Sequence, residues 1–247
     1  MRWDAAAITD RGRRRPENED SFLLRPDLGL FAVADGLGGH AGGEVASGLA
    51  IETVEHILAG SDPAAGTQPP PGERLRDAIL AAHRRILERA ADEPRLAGMG
   101  TTLTLLALDP AERAFRIAHV GDSRAYLLRD GALSLLTTDH TLAQDQIARG
   151  RLDPAHARGH PLSHILTRAL GTAEEDVEVD LIQGEVRAAD LFLLCSDGLT
   201  GVLDDDDLRA ILEGALALET LAAQLVEAAN LRGGPDNITA VLVRVEA

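Results

Sequence analysis

Short apolar runs, β-branched or leucine-rich and bounded by Asp, Gly or Pro, recur along this chain with little sequence between many of them. They are Phe22–Leu24, Leu30–Ala34, Thr101–Leu108, Phe115–Val120, Ala125–Leu128, Leu133–Leu136, Val177–Ile182, Leu191–Cys195 and Ile238–Val245. Runs of this length and punctuation read as strands. A parallel pair needs a crossover of about a dozen residues or more, and consecutive runs here are joined too tightly for that. Asp130-Gly131, between two of the runs, is a strong tight-hairpin signal. The chain is thereby pushed toward antiparallel sheets.

Helical periodicity appears in Glu44–Leu58, Glu73–Ala91, Leu142–Arg149 and Leu221–Leu231. Ala46, Leu49, Ala50, Thr53 and Ile57 share one helix face, as do Leu75, Ile79, Ala82, Ile86 and Leu87. Strands outnumber helices, so the expected fold is α+β, with helices packed outside antiparallel sheets. Gly60–Gly72, rich in proline, reads as a surface loop between two helices rather than a domain boundary. The 247 residues are read as a single domain, 1–247.

Composition removes several functions. Acids outnumber bases 40 to 24, a net charge of −16, which argues against nucleic-acid or anionic-membrane partners. All the bases are Arg; with no Lys there is no P-loop lysine and no Schiff base. Cys195 is the single cysteine, so internal disulfides and CxxC sites are excluded. The start of the chain has no apolar leader segment and no run approaches a membrane span; a cytoplasmic, monomeric protein is the expectation.

The acids that matter stand at strand ends. Phe31–Ala34 runs into Asp35-Gly36, Ile117–Val120 into Gly121-Asp122-Ser123, and Leu191–Cys195 into Ser196-Asp197-Gly198. Glu19-Asp20 precedes the strand at Phe22, and Asp236-Asn237 precedes the strand at Ile238. In antiparallel sheets strand ends lie beside neighbouring starts, so all five positions are able to meet at one edge. Carboxylates gathered there cannot all stay ionised without cations. Oxygen-only ligands suit hard ions, Mn²⁺ or Mg²⁺. Arg11, Arg13, Arg14 and Arg15 stand just before Asn18-Glu19-Asp20 and offer a guanidinium for a phosphate. Two metals and an arginine describe phosphoester hydrolysis.

These residues also carry a family resemblance. Thr9–Ser21, containing Arg15 and Asn18-Glu19-Asp20, looks like the first motif of the PPM family, the metal-dependent type 2C Ser/Thr protein phosphatases, in its bacterial form. Phe31–His40, His119–Arg124, Thr138–His140, Leu166–Gly171, Leu194–Leu199 and Gly234–Thr239 resemble its later blocks, in the family's order. The resemblance implies a four-layer α-β-β-α sandwich with two central antiparallel sheets. It implies that Asp35 bridges two metals with the Gly36 carbonyl on one, that Asp197 and Asp236 complete the other, and that Glu19 and Asp20 hold metal-bound waters or ligate weakly. Arg15 corresponds to the phosphate-binding arginine and Asp122 to a ligand of a weaker third ion. A flap is implied near 139–168. Many members carry Asp four residues after the Asp197 position, where this chain has Gly201.

The implied activity is hydrolysis of phosphoserine and phosphothreonine in proteins by a metal-bridged hydroxide, opposing a bacterial Ser/Thr kinase and acting on its substrates. The alternative is a non-catalytic PPM-like module that binds phosphoproteins. For the general acid His40 is the nearest candidate, against a loop histidine capping the helix from Glu44. A cysteine phosphatase is excluded, because the position six after Cys195 is Gly201 rather than Arg. Asp204–Asp207 reads as the cap of a helix at Leu208–Leu212.

Overall fold

The structure is a computed structural model that describes residues 1–37, 41–60, 72–156, 159–172 and 177–246, without the side chains of Ala41 and Ala155. His40 and nearly all of the expected Gly60–Gly72 loop lie outside the described residues.

Two antiparallel sheets stack face to face. The first runs β1 (Trp3–Asp10), β11 (Ile238–Val245), β10 (Leu191–Cys195), β7 (Arg124–Arg129), β8 (Ala132–Leu135). The second runs β2 (Asp20–Arg25), β3 (Leu30–Leu37), β5 (Leu103–Asp109), β6 (Ala114–Val120), β9 (Asp180–Glu185), with the short β4 (Gly100–Thr101) on the end of β3. Helices α1 (Ala41–Ala59) and α2 (Gly72–Asp92) cover the second sheet, while α4 (Asp197–Thr200), α5 (Asp205–Leu212) and α6 (Leu218–Leu231) lie on the first. The small α3 (Leu142–Ala148) sits in the excursion between β8 and β9, capped by Thr141, whose hydroxyl accepts from the Gln144 amide. The layers are α-β-β-α, as the resemblance implies.

Strands in the middle of such a sandwich are buried on both faces, which is why they read as continuous apolar runs rather than alternating ones. In β3, Phe31 and Val33 enter the core between the sheets, whereas Ala32 and Ala34 face the helices. β10 divides the same way, with Phe192 and Leu194 between the sheets and Leu193 and Cys195 under α4–α6. Phe115 and Phe192 meet edge to face across the gap, ring centres 5.3 Å apart. Each large apolar side chain buried in these layers contributes roughly 1.5–3 kcal/mol. No described helix is long and apolar enough to cross a membrane.

Three features depart from the sequence expectation. β1 is not among the expected strands, because its WDAAAITD is alanine-rich and only partly buried. Its order comes from the ladder to β11, Trp3↔Val245 through Asp10↔Ile238, a contact between the two ends of the sequence. The strand expected at Val177–Ile182 begins instead at Asp180, because Asp180 pairs with His119 and β6 turns away at Gly121 (φ +111°). The short helix α4, directly after β10, has no periodicity to announce it.

Candidate active site

Strand pairing gathers the acidic strand ends at one end of the sandwich. Asp20, the first residue of β2, lies opposite Asp35 in β3. Asp197 follows β10, and Asp236 precedes β11, the neighbour of β10. Asp122 follows β6. Asp20 also ties the two sheets together: its Oδ2 accepts from the hydroxyls of Ser196 (2.7 Å) and Thr239 (2.6 Å), both on the other sheet's side. Its Oδ1 is buried and has no hydrogen-bond partner among the described residues.

The electrostatics show that these acids sense one another. Burial pushes the Asp20 carboxyl up to about 7, with Asp197 and Asp236 adding repulsion and the two hydroxyls pulling the other way. Asp35 is raised well above the ordinary range by burial, then by Asp20, Asp197, Asp122 and Asp236. Asp122 is raised by burial, then by Asp197 and Asp139. Among the described residues no three His, Cys, Asp or Glu side chains converge into a ready-made metal cage. What unites the carboxylates is a shared field rather than direct contact.

The backbone around them is braced and short of side chains. The Asp35 carbonyl accepts from the Thr102 amide and the Thr101 hydroxyl, both at 2.9 Å. A Cβ on Gly36 would stand 2.3 Å from the Gly43 carbonyl and 2.5 Å from that of Glu19, and one on Gly198 would stand 1.9 Å from the Asn237 carbonyl. Only glycine fits at either place. Asn237 holds the corner: its amide nitrogen donates to the carbonyls of Arg11 (2.9 Å) and Glu17 (2.8 Å), and its Oδ1 accepts from the Glu19 amide (2.9 Å). Glu19 itself is buried, its carboxylate against Gly43.

Two cationic groups reach the cluster. Arg15 Nη2 donates to Asp236 Oδ2 at 2.7 Å, and the guanidinium pKa is raised chiefly by that bond. Of the arginine run, Arg15 is therefore the one directed into the site, while Arg11 turns back to the Pro16 carbonyl. His164 Nδ1 stands 3.9 Å from Asp197 Oδ2, and its pKa is raised first by that neighbouring carboxylate. Sequence reasoning misses His164, because no spacing links a histidine in the β8–β9 excursion to an aspartate 33 positions on.

Known proteins resemble this chain in sequence and in fold. A family model described as Protein phosphatase 2C matches residues 13–232. The serine/threonine protein phosphatase PstP of Mycobacterium tuberculosis is 40% identical over 243 residues, covering 97% of this chain and 44% of that protein. The serine/threonine phosphatase stp of Listeria welshimeri is 39% identical over 238 residues, covering 95% of this chain and 93% of that protein. The chain thus spans less than half of the mycobacterial relative and nearly all of the listerial one. A crystal structure of the catalytic domain of PstP in complex with two manganese ions matches with a TM-score of 0.85 and 38% identity, over 99% of both chains. With acidic strand ends, a double-sheet sandwich and matches along nearly its whole length all in agreement, the chain belongs to the protein phosphatase 2C family.

Proposed function

We propose that this protein is a metal-dependent protein serine/threonine phosphatase. The observation that carries the reading is the Asp20 carboxylate, with one oxygen holding two hydroxyls and the other buried without a partner among like charges. An unsatisfied buried acceptor of this kind costs about 1–3 kcal/mol, more when charged, and a cation removes that cost. The donors around it are all oxygen, which fits Mn²⁺ or Mg²⁺. The two manganese ions of the related PstP domain support a pair.

We assign Asp35 to both ions, the Gly36 carbonyl to one, and Asp197 and Asp236 to the other, with Glu19 and Asp20 holding water around the pair. A third, weaker ion falls to Asp122, without help from position 201, where this chain has Gly201. Bound there, such ions lower the pKa of water and offset charge on a phosphoryl group. The chain's own residues do the rest. Ser196 and Thr239 fix one Asp20 oxygen and leave the other free to turn to the site. Arg15, half exposed and anchored among the described residues only at Asp236, is placed to exchange that carboxylate for phosphate oxygens. Residues 139–168 are read as the flap bordering the site.

Phosphoserine and phosphothreonine in proteins are the substrates, on the strength of the relatives' names, and a Ser/Thr kinase is the opposing activity. A phosphoprotein-binding module without catalysis is disfavoured because every carboxylate of the set is present. Phosphate release from a phosphothreonine peptide tests the reading: it should require Mn²⁺ or Mg²⁺ and stop in EDTA. Equal release with and without EDTA, or none with either metal, would end it.

A further inference from the structure

The run Asp204–Asp207 is longer than its helix needs. Asp204 and Asp207 form the cap of α5, each carboxylate accepting the other's amide at 2.9 Å. Asp207 also receives Arg232 at 2.5 and 2.7 Å. Asp205 and Asp206 are not used by the cap. They line a cavity of about 530 Å³ bounded by α4 and α5 on one side and by α3, Pro154 and Ser163-His164 on the other. Asp205 accepts only a long bond from the Tyr126 hydroxyl (3.3 Å), and Asp206, 90% exposed, reaches only Arg209 of its own helix at 3.2 Å.

Asp122 and Asp197 of the acidic site line the same cavity. Asp122 is only 9% exposed, and its carboxylate accepts no hydrogen bond from any other described residue. The cations facing the cavity are already engaged. Arg124 is gripped by Asp139 at 2.8 and 2.7 Å, and His164 stands beside Asp197. With Asp122 and Asp197 given to the ions, the excess of negative charge in the lining is that of Asp205 and Asp206. The lining is also partly apolar, through Ala143, Ile147, Pro154 and Leu203. An aliphatic stem ending in a cation matches this lining, since such side chains bury the stem and keep the charged head among polar groups.

We infer that this cavity receives an Arg or Lys side chain of the substrate, from the segment flanking the phosphorylated residue. The inference rests on the phosphatase reading and adds to it a charge preference outside the phosphate itself. An acidic side chain in the same place would meet like charges, which disfavours the wrong partner as well as favouring the right one. Asp205 and Asp206 are the specificity-determining pair.

Phosphothreonine peptides that differ at a single flanking position, carrying Arg, Ala or Glu, test this when the substitution is walked along both flanks. At one or two positions the Arg peptide should exceed the Ala peptide in kcat/KM by about fivefold, as expected for a partly exposed ion pair. The Glu peptide should fall below both, and the spread should shrink with added salt. The Asp205→Asn/Asp206→Asn protein keeps the volume and the cap, so it should hydrolyse the Ala peptide as the wild type does and lose the Arg preference. Asp206→Arg should turn the preference toward Glu. Equal treatment of Arg and Glu peptides at every position, or an Arg preference that survives in the double variant, would overturn the inference. A wild type that hydrolyses no peptide of the set would sink the phosphatase reading, and this inference with it.

Discussion

Strand β10 carries a buried aspartate before it and an acidic cluster after it, and the two ends behave differently. At its start, Asp190 has a side chain only 1% exposed. Arg129 grips it through Nε at 2.7 Å and Nη2 at 2.6 Å, and the Arg187 amide donates a third bond at 2.7 Å. At the other end, Asp20 and Asp122 are buried and Asp35 partly so, yet desolvation and mutual repulsion raise all three pKa values and one Asp20 oxygen has no partner among the described residues. Burial of an acid is thus no mark of function here. An acid buried without its counter-charge is, because such an arrangement costs stability and persists where a ligand completes it.

The sharpest way to break the comparison is to neutralise one acid at each end. Asp35→Asn removes a repelled charge, so the protein should stay folded with an unchanged or raised melting temperature in EDTA. Its phosphate release should fall by at least about a hundredfold, the scale seen when one charge-stabilising group is lost. Asp190→Asn should do the reverse. It leaves the partly exposed Arg129 beside a neutral amide and breaks a buried carboxylate's network, at a cost of about 2 kcal/mol and a melting temperature lower by about 6 °C. Turnover measured well below that temperature should match the wild type. A catalytic defect in folded Asp190→Asn, or a large stability loss in Asp35→Asn, would erase the distinction.

The acidic end of this contrast is largely legible in the sequence. Asp35, Asp122 and Asp197 stand out because each ends an apolar run with a glycine beside it, a local signal. The pairing of Asp20 with Asp35 follows once the strands are antiparallel. What stays hidden depends on contacts distant in sequence. β1 has little apolar signal of its own and is ordered by β11. Arg129 and Asp190 are 61 positions apart, and nothing in either neighbourhood announces the clamp. The Asp204–Asp207 run is legible as a cap, but the cavity lined by its middle pair needs α3 and Ser163-His164, more than 40 positions away, to exist.

A smaller effect sharpens the contrast through pH. Asp20 has its pKa raised from 3.8 to about 7, so between those values the folded protein binds more protons than the unfolded chain. Its contribution to stability therefore falls as pH rises through that window. His119, held down to about 4 by burial and by His140, works in the opposite direction, and its contribution is complete above about 6.5. The net fall should appear from pH 6.5 to about 7.5, as a melting temperature in EDTA lower by about 2 °C at the upper end. Saturating Mn²⁺ should remove the decline, since ion binding strengthens as the carboxylates lose protons. A melting temperature in EDTA that climbs steadily across that range would contradict the raised pKa values.

The central claim is that the unsatisfied end of β10, and not the satisfied one, is built to hold cations. Calorimetric titration of Mn²⁺ into folded wild type, Asp35→Asn and Asp190→Asn, each stripped with EDTA and dialysed, measures this directly. The account predicts two tight ions in the wild type and in Asp190→Asn, and loss of the tight pair in Asp35→Asn. Wild-type binding retained in Asp35→Asn would contradict it.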